Sequence, residues 1–130
     1  MKYSELFQLA VKAAGNSYSK YSGFSVGAAL LAESGEIFTG CNIENASYSL
    51  TNCAERTAIF KAVSEGITEF KAIAVAGSAD GDFSRPCTPC GACLQVLSEF
   101  CSDDFAVVLS DGVHSFSEFL PKRFTEDKIK

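Results

Sequence analysis

Apolar positions at the start of the chain recur at the helical period. Leu6, Phe7, Leu9, Ala10, Val11 and Ala14 predict a helix over residues 4–14, with Ser4 placed to cap it and Gly15 to stop it. After a polar turn through Asn16–Ser19 the pattern changes to a continuous run from Phe24 to Leu31, which reads as a strand. Its small residues, Gly27, Ala28 and Ala29, mark a place where another element comes close. Glu33–Glu36 is a tight turn, and Ile37–Ile43 returns as the second arm of a hairpin. A second helix is expected from Cys53 to Val63, with Thr51 or Asn52 as its cap and Gly66 beyond its end. Lys71–Ala76 is a short apolar strand, followed by a loop over Gly77–Asp82. A third helix runs from about Cys90 to Phe100, turning Leu94, Val96, Leu97 and Phe100 inward, with Pro89 just before its start. Phe105–Leu109 is a buried strand and Val113–Phe116 a last short one. Ser117–Pro121 makes one helical turn before a partly loose tail.

This order of elements predicts an α/β fold, a five-stranded mixed sheet between helices in a three-layer α/β/α sandwich. No repeat, linker or low-complexity tract divides the chain, so residues 1–130 are expected to form one domain. A composition of 47% hydrophobic and 21% charged residues agrees with order nearly throughout. The net charge of −5 and the scattered lysines, among them Lys12, Lys20, Lys61 and Lys71, offer no basic stripe, which argues against a nucleic-acid partner. The first residues lack the apolar core of a secretory signal and no apolar run is long enough to span a bilayer, so no membrane partner and a cytoplasmic location are expected. In that compartment six cysteines point to metal binding or chemistry before disulfides.

Two stretches carry the candidate chemistry: Cys53-Ala54-Glu55-Arg56 and Pro89-Cys90-Gly91-Ala92-Cys93. Each stands at a helix start, where the partial positive charge of the helix end favours thiolates. Three sulfurs from Cys53, Cys90 and Cys93 would hold one Zn²⁺ and leave a fourth position for water. Three thiolates leave the site with a net charge of −1, which Arg56 is placed to offset by donating to sulfur. Glu55 is then free to carry protons to and from the water.

Other readings stand beside this one. Cys87, Cys90 and Cys93 also spell the opening of an iron–sulfur run, although Leu97 occupies the place of its fourth cysteine. A closed structural zinc site would draw a fourth ligand from Cys41, Cys87, Cys101 or His114. Cys41 and Cys101 equally fit buried thiols packed as small hydrophobes, and His114 fits an exposed or hydrogen-bonded histidine. Spacing alone permits Cys87 and Cys90, as well as Cys90 and Cys93, to supply the ligand pair. The polar stretch Asn42–Tyr48, taken by itself, reads as an ordinary loop.

Four segments together resemble the hallmarks of the small, tetrameric cytidine deaminases. They are Tyr21–Leu30 (YSGFSVGAAL), Asn42–Tyr48 (NIENASY), Cys53–Ala58 (CAERTA) and Pro89–Cys93 (PCGAC), found in the family's order, with similarity from about Tyr18 to Phe124. The resemblance implies a cytidine deaminase-like fold and one Zn²⁺ per subunit, held by Cys53, Cys90 and Cys93. It implies hydrolysis of cytidine to uridine and ammonia in pyrimidine salvage, deoxycytidine being a further substrate, with zinc-activated water attacking C4 of the base and Glu55 as proton shuttle. Phe24 would pack on the pyrimidine, Asn42 and Glu44 would hold the ribose hydroxyls, and the Ala54 backbone would meet the base. Tyr48 and Phe124 would complete a neighbour's pocket in a homotetramer. The rival reading is a related deaminase of another aminopyrimidine nucleoside, such as the blasticidin type, against which the Asn42 and Glu44 pair argues for a free ribose. The sequence departs from the family in two places: Leu94 stands where arginine usually follows the last zinc cysteine, and Cys87 is an additional thiol. Proline and glycine at positions 89 and 91 match the family only when Cys90 and Cys93 are the ligand pair.

Overall fold

A computed structural model describes residues Met1 to Lys130. Helix α1 (Tyr3–Ala14) leads into the hairpin of β1 (Ser25–Ala32) and β2 (Ile37–Cys41), then α2 (Ala54–Ser64), β3 (Phe70–Ser78), α3 (Gly91–Ser98), β4 (Ala106–Leu109), β5 (Gly112–Ser115) and the short α4 (Phe116–Phe119). The strands lie in the order β2-β1-β3-β4-β5. All neighbours are antiparallel except β3 and β4, whose parallel pairing requires the crossover that α3 supplies.

Strand alternation sorts the core into two unequal halves. Leu30, Ile73, Val75, Val107 and Leu109 point to the side of α2 and α3, where Ala58, Ile59, Leu94 and Leu97 meet them. The opposite face carries mainly alanines, Ala29, Ala72, Ala74, Ala76 and Ala106, against Leu6 and Ala10 of α1. Small side chains there let α1 sit close to the sheet. At Gly27 the approach is so near that a Cβ would lie 1.9 Å from the Ala10 carbonyl oxygen, which is the close contact its sequence neighbourhood predicts. Gly40 does the same for α2, with the Ala54 carbonyl oxygen 2.6 Å from where a Cβ would stand.

Several predicted boundaries move. Helix α1 begins one residue before Ser4, so Lys2 takes the cap position, its backbone N–H donating to Glu5. In α2 the cap is Cys53 itself, not Thr51 or Asn52, because the chain stays extended through that residue. Phe105 precedes β4 and packs edge-on against Phe116, which opens α4 instead of ending a strand.

The antiparallel β1–β3 register sets Ser25 opposite Ser78 and Val26 opposite Gly77, so β1 begins where β3 ends. Gly27 pairs with Cys41, which brings the end of β2 to the same edge. Ligand crevices in such sheets form at strand ends where the chain departs for its helices.

Candidate metal centre

Cys53 is the N-cap of α2 and Cys90 the N-cap of α3, both with extended backbone, and Cys93 lies on the first turn of α3. Their sulfurs converge within 4.8 Å of one another. Cys53 Sγ stands 3.9 Å from Cys90 Sγ, and Cys90 Sγ 3.5 Å from Cys93 Sγ. Two thiolates bound tetrahedrally to one zinc at the usual metal–sulfur length lie about 3.8 Å apart, so the donor set fits that ion. All six cysteines are free thiols.

Cys41, Cys87, Cys101 and His114 lie outside this sulfur group. Of the two pairs that spacing allows, Cys90 and Cys93 are the one whose sulfurs both meet Cys53. Cys90 and Cys93 belong to the first turn of α3, whereas Cys87 sits in the preceding non-helical segment, its sulfur turned to Gly77 beside the Phe24 ring. Burial pushes its thiol up to about 11. Cys101 is buried in the larger core, and Cys41 only partly so. His114 is held on the surface between Asp111 at 2.8 Å and Glu118 at 3.1 Å.

The ionisation of the sulfurs is graded. Hydrogen bonding from Cys93 and from Arg56 brings Cys53 down to about 5, while the same hydrogen bond and burial hold Cys93 far above the ordinary thiol range. Arg56 Nη2 donates to Cys53 Sγ at 3.2 Å, in agreement with the charge-offsetting place expected for it.

Glu55, on the first turn of α2, is 4% exposed. Burial raises its carboxyl to about 7, with its own backbone N–H pulling the other way and the Cys53 thiolate adding to the rise. An acid poised near neutrality both takes and returns protons.

The remaining predicted residues divide among three adjoining cavities. A central one of about 190 Å³ is lined by Cys53, Ala54, Glu55, Cys90 and Asn42, with Thr51, Val26, Cys87 and Thr88 completing the wall. Glu44 and Tyr48 line a second, together with Tyr21, Ser22 and Thr51. Phe24 lines a third, across Cys87 from the centre. Phe124 belongs to none of them; its ring is exposed, as is that of Tyr48.

Asn42 and Glu44 are both tied to the segment that enters β1. The Asn42 amide accepts from Ser17 Oγ and the Val26 N–H and donates to the Phe24 carbonyl, which leaves one N–H uncommitted. Glu44 accepts from the Ser22 hydroxyl and from the Ser22 and Tyr21 N–H groups, and these bonds, the hydroxyl foremost, hold its carboxyl below the usual range. Thr51 joins the central and Glu44 cavities, a place that its reading as a helix cap does not predict. Its position just before the Cys53 helix was the available signal. Leu94, the departure from the family pattern, packs into the core beside α2.

Residues 1–109 match the family model for the cytidine and deoxycytidylate deaminase zinc-binding region. The chain is 53% identical to a cytidine deaminase of Sporosarcina psychrophila, over 99% of this chain and 96% of that protein. It is 49% identical to a cytidine deaminase of Halalkalibacterium halodurans, over 95% of each. The crystal structure of a cytidine deaminase from Burkholderia pseudomallei superimposes with a TM-score of 0.85 at 44% identity, covering 95% of this chain and all of that one.

Proposed function

This chain belongs to the cytidine and deoxycytidylate deaminase zinc-binding family, and on that premise we propose that it hydrolyses cytidine, and deoxycytidine with it, to uridine or deoxyuridine and ammonia. The observation that carries the reading is a buried carboxylic acid on one cavity wall with Cys53 and Cys90, two of three convergent sulfurs. Cys53, Cys90 and Cys93 would hold the zinc, with Arg56 offsetting the charge of the Cys53 sulfur. When bound, the ion supplies a Lewis acid that activates water for attack on C4 of the base. Glu55 would take one proton from the attacking water and deliver it to N3, then take the second from the hydroxyl now on C4 and pass it to the amino group, which leaves as ammonia while the C4 carbonyl forms. Its raised carboxyl suits both directions of transfer.

The main chain at Ala54 meets the base and Phe24 packs on it. Asn42 offers its uncommitted N–H to a ribose hydroxyl, and Glu44 accepts from the other through lone pairs not spent on Ser22 and Tyr21. Such a site rejects analogues that lack the hydroxyls, because its own polar groups would be left unpaired. The exposed rings of Tyr48 and Phe124 fit a homotetramer in which each completes a neighbour's pocket. No helix is long and apolar enough to cross a membrane; work in cytoplasmic pyrimidine salvage accords with the nucleoside substrate.

Glu55→Gln is the direct test. The variant keeps its zinc, read by metal analysis, and loses ammonia release from cytidine by about a hundredfold or more, since the amide cannot accept and return a proton. Turnover at the parent rate with zinc in place would remove Glu55 from the mechanism.

A further inference from the structure

Arg123 is a cation folded back into the protein. Its side chain is 16% exposed, and its guanidinium carbon lies 4.7 Å from the centre of the Phe116 ring. Nη1 donates to the carbonyl oxygens of Ser98, at 3.1 Å, and of Cys101. Nη2 stands 3.1 Å from the Asp103 carboxylate. Ser98 is the last residue of α3, so the guanidinium sits where a helix leaves its carbonyls unsatisfied and carries its partial negative charge. Ordering a long side chain this fully costs conformational entropy, which an exposed tail would not require.

A second tether is independent of the first. Gln95, also on α3, donates through Nε2 to the main-chain carbonyl of Phe124 at 3.0 Å. One tether acts through the Arg123 side chain and the other on the Phe124 main chain, and neither engages the ring of Phe124, which is 57% exposed. Helix α3 is also the element whose first turn carries Cys90 and Cys93. Phe124 is thus tied to the helix of the metal centre, yet lines none of the cavities around that centre in its own chain.

We infer that Arg123 is a positioning residue: by clamping the C-terminal end of α3 it fixes the tail so that Phe124 is presented, pre-ordered, to the nucleoside site of a neighbouring copy. This rests on the reading of Phe124 as part of a neighbour's pocket. Pre-ordering matters because a ring that must be immobilised on each binding event lowers affinity by the entropy it loses. Arg123 itself touches no reacting atom and acts only through the segment.

A double-mutant cycle on the zinc-loaded full chain decides the matter, with Arg123→Gln, Phe124→Ala and the double variant compared for cytidine KM and kcat. Hydrogen exchange of the tail amides from Phe124 onward is read in the same samples. Arg123→Gln should accelerate tail exchange about tenfold or more and raise KM about tenfold with a smaller change in kcat. Phe124→Ala should raise KM as well, and adding Arg123→Gln to it should change KM no further. Arg123→Lys, which keeps the charge without the two-pronged donor, should fall between the parent and the Gln variant and serves if that variant folds poorly. A KM effect of Arg123→Gln that persists in full on the Phe124→Ala background would overturn the proposal, as would unchanged tail exchange. If Phe124→Ala alone leaves KM and kcat at parent values, the reading of Phe124 fails and the proposal falls with it. If Phe124→Ala raises KM while Arg123→Gln does not, only the role of Arg123 fails.

Discussion

At the scale of single residues, the metal centre works by dividing labour between neighbours on one helical turn. Cys53 offers its sulfur from the cap of α2, Glu55 turns into the cavity, and Arg56 reaches back to the sulfur. Removing the arginine should therefore act through the ligand. In Arg56→Gln the Cys53 thiol regains part of its ordinary affinity for a proton, and proton and zinc compete for the same lone pair. We expect zinc affinity at neutral pH to fall by about ten- to a hundredfold, measured by competition with a chromophoric chelator, with a smaller deficit at alkaline pH. Equal zinc retention at all pH values would show that Arg56 does not tune the ligand. Arg56 and Glu55 were legible from their place beside Cys53. Thr51 was not, because a threonine before a helix has an ordinary explanation as a cap.

At the scale of elements, the site depends on two helices being pressed onto the sheet at fixed depth. Gly27 sets that depth for α1 and Gly40 for α2, each by leaving no side chain between strand and helix backbone. A methyl group at position 27 meets the main chain of α1, which cannot rotate aside as a side chain would. Gly27→Ala should cost about 3 kcal/mol and lower the melting temperature by about 10 °C, as read by calorimetry. A variant as stable as the parent would mean that α1 moves outward freely. The small-residue run in β1 was a readable sign of this contact. The start of α3 was readable to within a residue from Pro89, but the Cys87 question was not: three cysteines spaced evenly are equivalent until the fold shows which sulfurs meet Cys53.

At the scale of the whole molecule, several exposed aromatic rings lie at or near the cavities. Tyr21 and Tyr48 meet edge to face 5.9 Å apart, and Phe24 is 38% exposed. Burial of such rings is worth on the order of 2 kcal/mol each, a strong drive toward association. The proposed homotetramer predicts a solution mass near four times 13.9 kDa by light scattering, and a monomeric mass at micromolar concentration would count against it.

The residues alone carried the layer architecture, because strand and helix periods differ and their order admits few packings. They also pointed to the metal and to a glutamate beside it, since cysteines at two helix starts and an adjacent carboxylate are local patterns. What only the tertiary structure decided was distance: which sulfurs converge, how deeply Glu55 is buried, how the predicted substrate residues divide among adjoining cavities, and where the tail is tied down. Those depend on the β1–β3 register and on the depth at which each helix meets the sheet. Both are settled by packing between residues far apart in the chain, which no local pattern records.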